Sequence, residues 1–279
     1  MDPIVFFNGA YLRKQEVRLS PDDRGFLFAD GVYEVVRSYG GRFFGLEEHL
    51  ERMANGLSAL RIEGIAARDL APVCQELLDR NGLGTADALV YLQVTRGVAP
   101  RVHAFPDPPV KPTVYAAPRA FAAKGDHTVG VPVITAPDQR WTRCDIKSVA
   151  LLPNCMANQL ARERGAPEAL LVRDGVVLEG THTSFFGVFD GVVRTAPLTN
   201  YILPSITRAA ALELCRAHDL PVLEAPIYAH ELEGADELFL AGTTMEIMPI
   251  VTVDGRRVGN GRPGATAKRL LELFQAETR

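Results

Sequence analysis

The chain has 279 residues, of which 47% are hydrophobic and 23% are charged, a composition typical of a globular protein with a sizeable core. Its formal net charge of -4 at pH 7 gives no electrostatic basis for binding nucleic acid or an anionic membrane. The length exceeds that of most single domains and predicts two domains. We therefore expect the partner to be a small molecule or another protein.

The first third of the chain predicts hairpins, then helices, then strands. An Asn-Gly pair at 8–9 and a Gly-Gly pair at 40–41 each lie between apolar runs, as two-residue β-hairpin turns do. Leucines and one methionine recur at helical spacing over 46–60, and a second helix is predicted at about 68–82. Strand composition returns in the segments ALVYLQVTRG and KPTVYAAP.

The segment PRAFAAKGD shows no periodicity and marks the predicted domain boundary. This gives a small N-terminal domain at 1–117, a linker at 118–126 and a large C-terminal domain at 127–279. In the large domain we expect, in chain order, a strand, a helix at about 153–164, hairpins turning on Asp-Gly pairs, a helix within 202–220 and a last helix from about 264. The order predicts a two-domain α/β or α+β fold.

Targeting and metal signals are missing from the sequence. The N-terminal MDPIVFFNGAYLRK does not resemble a secretion signal, and no window has the roughly 18 to 20 uncharged residues of a membrane span. We therefore expect a cytoplasmic protein. The four cysteines have spacings that fit neither a zinc site nor a disulfide framework, so we expect buried free thiols. The six histidines show no metal-binding motif, and no metal is expected.

One lysine, Lys147, lies in RCDIKSVALL directly before an apolar run. A buried ammonium without a partner is costly, so such a lysine is usually paired, neutral or converted to an imine. The plainer interpretation is an isolated lysine whose tip reaches water. Other segments of the chain must decide between the two.

Three segments supply groups that complement an imine-forming lysine. Glu179 ends an apolar strand, where its carboxylate could bind a protonated heterocyclic nitrogen. The segment Ser205–Thr207 opens a helix, whose first N–H groups suit a phosphate. The hydroxyl-rich AGTTMEI and Arg52 could complete the phosphate site. Together these features outline a site for pyridoxal 5'-phosphate.

A set of longer motifs makes a family resemblance close. In order along the chain they are DRGFLFADGVYEVVRSYGG, HLERM, VTRGVAPRVH, RWTRCDIKSVALL, LEGTHTSFFG, SITR and GTTMEI. Through them nearly the whole chain resembles the fold type IV aminotransferases, and most closely the bacterial D-amino-acid transaminases. The resemblance implies a pyridoxal-phosphate enzyme with a small N-terminal α/β domain and a larger C-terminal domain built on a barrel-like sheet. It also implies a homodimer with a shared active site.

The resemblance implies roles for individual residues. Lys147 matches the catalytic lysine that binds the cofactor as a Schiff base, and Glu179 matches the partner of the pyridine nitrogen. Leu203 matches the side chain packed against the cofactor ring. The residues that match the phosphate binders are Arg52, Ile206, Thr207 and Thr243. The residues that match the substrate site are Tyr33, Arg101, His103, His182 and Thr244, of which the family takes Arg101 and His103 from the neighbouring subunit.

The implied reaction moves the amino group of a D-amino acid, such as D-alanine, to a 2-oxo acid, such as 2-oxoglutarate, in a ping-pong cycle. Alternatives are a promiscuous transaminase that also uses (R)-amines, a branched-chain L-amino-acid aminotransferase, a lyase and a non-catalytic pyridoxal-phosphate carrier. The Arg-x-His pair after VTRGVAP favours the D-amino acid. A carrier would need no residues that bind a substrate carboxylate.

The sequence departs from the family pattern near the substrate. His182 and Met245 stand where small hydroxylated residues are usual, Ser184 where many relatives have Asn, and Ser205 where the most similar relatives have Gly. We expect His182 to narrow the pocket and, when protonated, to favour acidic substrate side chains. The alternative is that His182 faces solvent and has no effect on specificity.

Overall fold

The computed structural model describes residues 2–122 and 125–278. The described chain divides into two units. The first comprises residues 2–122 together with the short segment 146–150, and the second comprises the remainder.

The first unit is a six-stranded antiparallel sheet, in the order β2-β1-β6-β5-β3-β4, with two longer helices packed on it. The core between sheet and helices is made of aliphatic side chains, as the predicted apolar stripe requires. The elements are β1 (Ile4–Phe7), β2 (Ala10–Arg13), α1 (Arg24–Phe28), β3 (Gly31–Tyr39), β4 (Arg42–Phe43), α2 (Leu46–Ala59), α3 (Ala71–Arg80), β5 (Ala88–Thr95) and β6 (Thr113–Ala120).

The second unit is a ten-stranded mixed sheet that curls into a half-barrel, in the order β12-β11-β10-β14-β15-β7-β8-β9-β13 with β16 beside β15. Its parallel pairs are β7 with β8, β7 with β15, and β11 with β12. The elements are β7 (Val131–Pro137), α4 (Leu152–Glu163), β8 (Glu168–Arg173), β9 (Val176–Gly180), β10 (Ser184–Phe189), β11 (Val192–Thr195), α5 (Ile206–Ala217), β12 (Val222–Glu224), β13 (Ile227–Tyr228), β14 (Glu237–Gly242), β15 (Glu246–Val253), β16 (Arg256–Arg257) and α6 (Ala265–Thr278). The predicted fold class is confirmed.

Two-residue turns connect the predicted hairpins. In each turn both central residues have positive φ, which is the conformation of type I′ turns and is readily adopted by Asn, Asp and Gly. These turns, within the part of the chain that is described, are 8–9, 40–41, 174–175, 190–191 and 254–255. Short-range turn chemistry was therefore a reliable guide to strand pairing.

Two features of the structure bear on the expected boundary between the units. Strand β6 continues to Ala120, which pairs with Ala88, so residues 118–120 belong to the sheet of the first unit. Residues 123 and 124 of the expected linker lie outside the described residues. The segment 146–150, which we expected in the C-terminal domain, belongs to the first unit because Ile146 is buried in that unit's core. The domain boundaries at 1–117 and 127–279 stay a prediction.

The cysteines are all free, and three of them are buried. Cys155 is the exception to the expected burial, because α4 buries only Ala161 and Cys155 lies on its exposed side. None of the helices within 2–122 and 125–278 combines the length and the apolar composition needed to cross a bilayer.

Candidate active site

The backbone around Lys147 is attached to strand β3. The carbonyl of Lys147 accepts a hydrogen bond from the N–H of Tyr33 at 3.0 Å, and the N–H of Val149 donates to the carbonyl of Gly31 at 3.1 Å. Ser148 forms an isolated bridge with Val32. The segment therefore lies beside β3 like a short added strand, and the position of Lys147 is fixed by backbone hydrogen bonds.

The side chain of Lys147 is half-buried, and its Nζ lies 4.5 Å from the centre of the Tyr33 ring. An ammonium over an aromatic face is stabilised electrostatically. Ile146, which is 6% exposed, fixes the other side of the segment in the core. Gly56 of α2 permits this approach, since a Cβ there would lie 3.0 Å from Cγ1 of Val32 and 3.8 Å from Cγ2 of Ile146. Backbone hydrogen bonds to β3 and the burial of Ile146 thus explain why a lysine lies where the chain enters the core.

A buried cluster on β3 and α2 holds Arg52, one of the predicted phosphate binders. The Nε of Arg52 donates to Glu34 Oε1 and its Nη2 to Oε2, both at 2.7 Å. His49 Nδ1 lies 2.7 Å from Glu34 Oε2. Glu34 is fully buried, and such a bidentate pair fixes the plane of the guanidinium.

The charges of this cluster follow from its contacts. Burial acts to raise the pKa of Glu34, but the charge of Arg52 and the hydrogen bonds from His49 and Arg52 outweigh it and hold the pKa at about 2. Burial lowers the pKa of His49 against the opposing effect of Glu34. His49 is therefore neutral at neutral pH, and the tautomer that suits the contact carries its proton on Nδ1. Glu34 balances the charge of Arg52.

The loop between β5 and β6 is exposed and carries Arg101 and His103, which are predicted to bind the substrate carboxylate. The guanidinium of Arg101 lies 5.3 Å from the centre of the Phe28 ring, and the ring of His103 meets Phe28 edge to face at 5.8 Å. Lys147 contacts a different ring, that of Tyr33. The structure therefore brings Tyr33 to Lys147, and it groups Arg101 with His103 around Phe28.

In the second unit, Glu179 at the end of β9 is 5% exposed and is paired with an arginine that we did not predict. Arg140 Nη1 donates to Glu179 Oε1 at 2.5 Å, while its Nε and Nη2 donate to Asp138 at 2.9 and 3.1 Å. The Leu203 N–H lies 3.3 Å from Glu179 Oε2. Leu203 and Glu179, predicted to contact the same cofactor ring, are thus neighbours.

The contacts of Arg140 shift its own pKa and that of Asp138. Burial acts to lower the pKa of Arg140, but its hydrogen bonds to Asp138 and Glu179 outweigh this and raise the pKa above its ordinary value. Burial likewise opposes the charge of Asp138, and the hydrogen bonds and charge of Arg140 lower the pKa of that carboxyl. Arg140 opens the RWTRCDIKS motif, which was the available signal for its importance.

The predicted phosphate and substrate residues of the second unit lie on a helix start and a turn. Ser205 caps α5 by accepting a hydrogen bond from the Arg208 N–H at 3.2 Å, so that Ile206 and Thr207 are its first residues. The N–H groups of a first helical turn have no intrahelical acceptor. Thr243 and Thr244 lie in the turn between β14 and β15, and both are half-buried.

A second turn, Thr181–Thr183, lies beside the Thr243–Thr244 turn. Ser184 pairs with Ala241, and a Cβ on Gly242 would lie 3.4 Å from Cγ2 of Thr183. The turn is organised by Glu168, a fully buried acid that sequence reasoning missed. Glu168 accepts hydrogen bonds from Thr181 N at 2.9 Å, Thr181 Oγ1 at 2.5 Å and Thr183 Oγ1 at 3.0 Å.

His182 belongs to this turn and is held by the same acid. Its Nδ1 lies 3.0 Å from Glu168 Oε2, and its side chain is 48% exposed. Burial opposes the charge of Glu168, and the interactions with His182 and Thr181 outweigh it and lower the pKa of the carboxyl. The imidazole is therefore tethered on one side and exposed on the other. Its role in specificity stays a prediction.

Comparison with known proteins identifies the family to which the chain belongs. Residues 31–253 match the model of the class IV aminotransferase family. The D-alanine aminotransferase of Bacillus licheniformis is 40% identical over 275 residues, covering 97% of this chain and 95% of that protein. The D-alanine aminotransferase of Staphylococcus haemolyticus is 38% identical over 272 residues, covering 97% and 96%.

A solved structure is also similar over the full chain. The branched-chain amino acid aminotransferase of Escherichia coli superposes with a TM-score of 0.89 at 25% identity, covering 99% of this chain and 94% of that one. The chain is an aminotransferase of fold type IV. It belongs to the class IV aminotransferase family, as the sequence motifs predicted.

Proposed function

We propose that this protein is a D-amino-acid transaminase that moves the amino group of a D-amino acid such as D-alanine to a 2-oxo acid such as 2-oxoglutarate. The observation that carries the proposal is the half-buried amine of Lys147, fixed on β3 over the Tyr33 ring. The D-alanine aminotransferase relatives and the Arg101-x-His103 loop support the choice of substrate. The free thiols support a reducing compartment, which we take to be the cytoplasm.

The side chains present fit pyridoxal 5'-phosphate. Lys147 supplies the amine that would bind the cofactor covalently, and the Glu179 carboxyl group, hydrogen-bonded to Arg140, suits a protonated ring nitrogen. Leu203 would pack against the ring. The phosphate would be held by four residues: Arg52 through its guanidinium, Ile206 and Thr207 in the first turn of α5, and Thr243 through its hydroxyl.

When bound, pyridoxal phosphate supplies the electron sink that stabilises negative charge at the substrate Cα. The Nζ of Lys147 would serve as the base that takes the proton from the substrate Cα and as the acid that gives it back. The Glu179 carboxylate would bind the ring nitrogen, and the guanidinium of Arg140, which donates to Glu179 Oε1, would hold that carboxylate in place. The Tyr33 ring sets the approach of the lysine.

Recognition of the substrate carboxylate is assigned to Tyr33, Arg101 and His103, with His182 and Thr244 toward the substrate side chain. A guanidinium offers two parallel donors to a carboxylate, which fixes the orientation of Cα relative to Lys147. Because Arg101 and His103 gather around Phe28 while Lys147 lies over Tyr33, they are proposed to serve the active site of a second copy. The assembly is therefore proposed to be a homodimer.

Complementation between two impaired variants tests the shared site. Lys147→Ala lacks the catalytic amine, and Arg101→Ala lacks the carboxylate donor. A mixed dimer holds one site with Lys147 from one chain and Arg101 from the other, so mixing should restore a wild-type KM for D-alanine in a fraction of sites. Mixtures with no more activity than the separate variants would mean that the two residues act within one chain, or that no dimer forms.

A branched-chain L-amino-acid aminotransferase is the second candidate, because such an enzyme superposes over nearly the full chain. Activity toward (R)-amines is a further possibility within the same chemistry. Initial rates with D-alanine, L-leucine and (R)-1-phenylethylamine, each with 2-oxoglutarate, separate the three. The proposal expects D-alanine to give the highest kcat/KM, and a preference for L-leucine would reverse it.

A further inference from the structure

Arg24, the first residue of α1, lies under the loop that carries Arg101 and His103. It is 3% exposed. Its Nη1 donates to the carbonyl of Val102 at 2.7 Å and to that of Ala104 at 3.3 Å, and its Nη2 donates to the carbonyl of His103 at 3.4 Å. One guanidinium thus binds three consecutive carbonyl groups of an otherwise exposed loop, whose conformation depends on that contact.

The guanidinium of Arg24 is itself held in place. Its Nε pairs with Asp30 Oδ2 at 2.8 Å, and Arg96 binds both oxygens of Asp30 at 2.7 and 2.9 Å. Arg96 also donates to the carbonyls of Leu60 and Arg61 at the end of α2. Asp30 thus links the loop to the body of the first unit. Two buried arginines around one carboxylate form a rigid support.

Aromatic contacts complete the support at both ends of the loop. At one end, Phe28 lies four residues after Arg24 on the same side of α1 and contacts both Arg101 and His103. At the other end, Arg96 lies 3.6 Å from the centre of the Phe105 ring. The carbonyls that Arg24 binds lie between these two contacts.

We propose that Arg24 is a positioning residue that presets the geometry of Arg101 and His103 for the substrate carboxylate. The inference rests on the proposed function, in which those two residues bind the carboxylate. Without Arg24 the loop would sample several conformations, and ordering it would cost part of the binding free energy of each substrate. The chemistry at Lys147 would be unchanged, so the effect falls on KM.

The test uses Arg24→Met in the holoenzyme, with Arg80→Met as a matched control. Arg80 is an exposed arginine of α3 that pairs with Glu76 and covers the Tyr11 ring, away from the loop. For Arg24→Met, KM for D-alanine should rise about tenfold while kcat changes less than about threefold. Arg24→Lys should recover part of the loss, and Arg80→Met should match the wild type.

A double-mutant cycle separates positioning from general destabilisation. If Arg24 acts through Arg101, adding Arg24→Met to Arg101→Ala should raise KM by less than about twofold further. A further tenfold rise in KM in the double mutant, relative to Arg101→Ala alone, would overturn the inference. So would an unchanged KM in Arg24→Met if Arg101→Ala raises KM. If Arg101→Ala itself leaves KM for D-alanine unchanged, Arg101 does not bind the substrate carboxylate. The proposed function of Arg101 and the positioning role of Arg24 would then both be wrong.

Folding of the variant is checked by thermal melting of the holoenzyme. If Arg24→Met does not fold, Phe105→Leu carries the test, because it weakens the far end of the same loop without touching Asp30. KM for D-alanine should then rise at least about threefold at an unchanged kcat. An unchanged KM in Phe105→Leu would overturn the proposal.

Discussion

Replacing Arg140 with methionine tests the importance of the ion pair between Arg140 and Glu179. The substitution keeps much of the side-chain volume and removes the guanidinium, which binds Asp138 twice, Glu179 once and the carbonyl of Tyr201 at 3.1 Å. Asp138 is fully buried and Glu179 nearly so. The variant therefore removes a guanidinium that two buried carboxylates share, while Asp138 keeps its ion pair with Arg173 at 3.2 Å.

The size of the effect follows from that burial. Removing one partner of a buried ion pair costs about 3 to 5 kcal/mol. For a chain of this size each kcal/mol lowers the melting temperature by roughly 2 to 4 °C, so a loss of roughly 10 °C is expected. The pKa of Asp138 is now held below its ordinary value, so its stabilisation is present at neutral pH and lost on acidification. In the variant, loss of stability should begin at a higher pH.

Thermal melting and cofactor content are the assays, with Arg143→Met as the control. Arg143 lies in the same segment and pairs with Asp145, but the two side chains are 47% and 33% exposed, so its loss should cost less than about 1 kcal/mol. Arg140→Met should also slow the half-reaction with D-alanine, because the Glu179 carboxylate loses a guanidinium that holds it in place. A melting temperature equal to that of Arg143→Met would refute the reasoning.

Three further changes have defined outcomes. Lys147→Ala should abolish transamination while the melting curve shows a folded protein; near wild-type turnover without added amine would contradict the role of Lys147. The pKa of Glu34 is held at about 2, so the wild type should lose a stabilisation on the order of 3 kcal/mol as pH falls from about 4.5 toward 2, and Glu34→Gln should lack that stabilisation. Urea unfolding at a series of pH values measures the difference. Identical acid dependence in both proteins would speak against it. His182→Ser should lower the ratio of kcat/KM for D-glutamate over D-alanine, and in the wild type that ratio should fall as pH rises through the imidazole range; a ratio that neither substitution nor pH changes would show that His182 has no part in specificity.

Local sequence signals predicted much of the fold. The Asp-Gly, Asn-Gly and Gly-Gly pairs set hairpin turns through their own positive φ angles, and the long helices followed from apolar spacing. The five-residue helix α1 was missed because it is too short to show a period. The three-residue strand β12 and the two-residue strand β13 were missed for the same reason. The end of β6 at Ala120 depends on its pairing with β5, which no local pattern encodes.

The candidate site was predictable in part. Motif order identified the family, which the comparisons confirmed, while the assigned residue roles stay predictions. The attachment of residues 146–150 to β3 joins segments more than a hundred residues apart, and the Arg140–Glu179 pair spans 39 residues. Buried acids such as Glu34 and Glu168 look like ordinary charged residues in a sequence. Their importance is visible only once their donors are placed around them.

The central claim is that Lys147 and its neighbours process the D-form of an amino acid. The most direct measurement mixes the purified, cofactor-loaded protein with D-alanine alone, then in a separate sample with L-leucine alone, and follows the visible absorption of the lysine-bound cofactor. We predict rapid loss of that absorption with D-alanine, release of pyruvate in equal amount, and a much slower change with L-leucine. Faster loss with L-leucine, or no loss with either amino acid, would contradict the account.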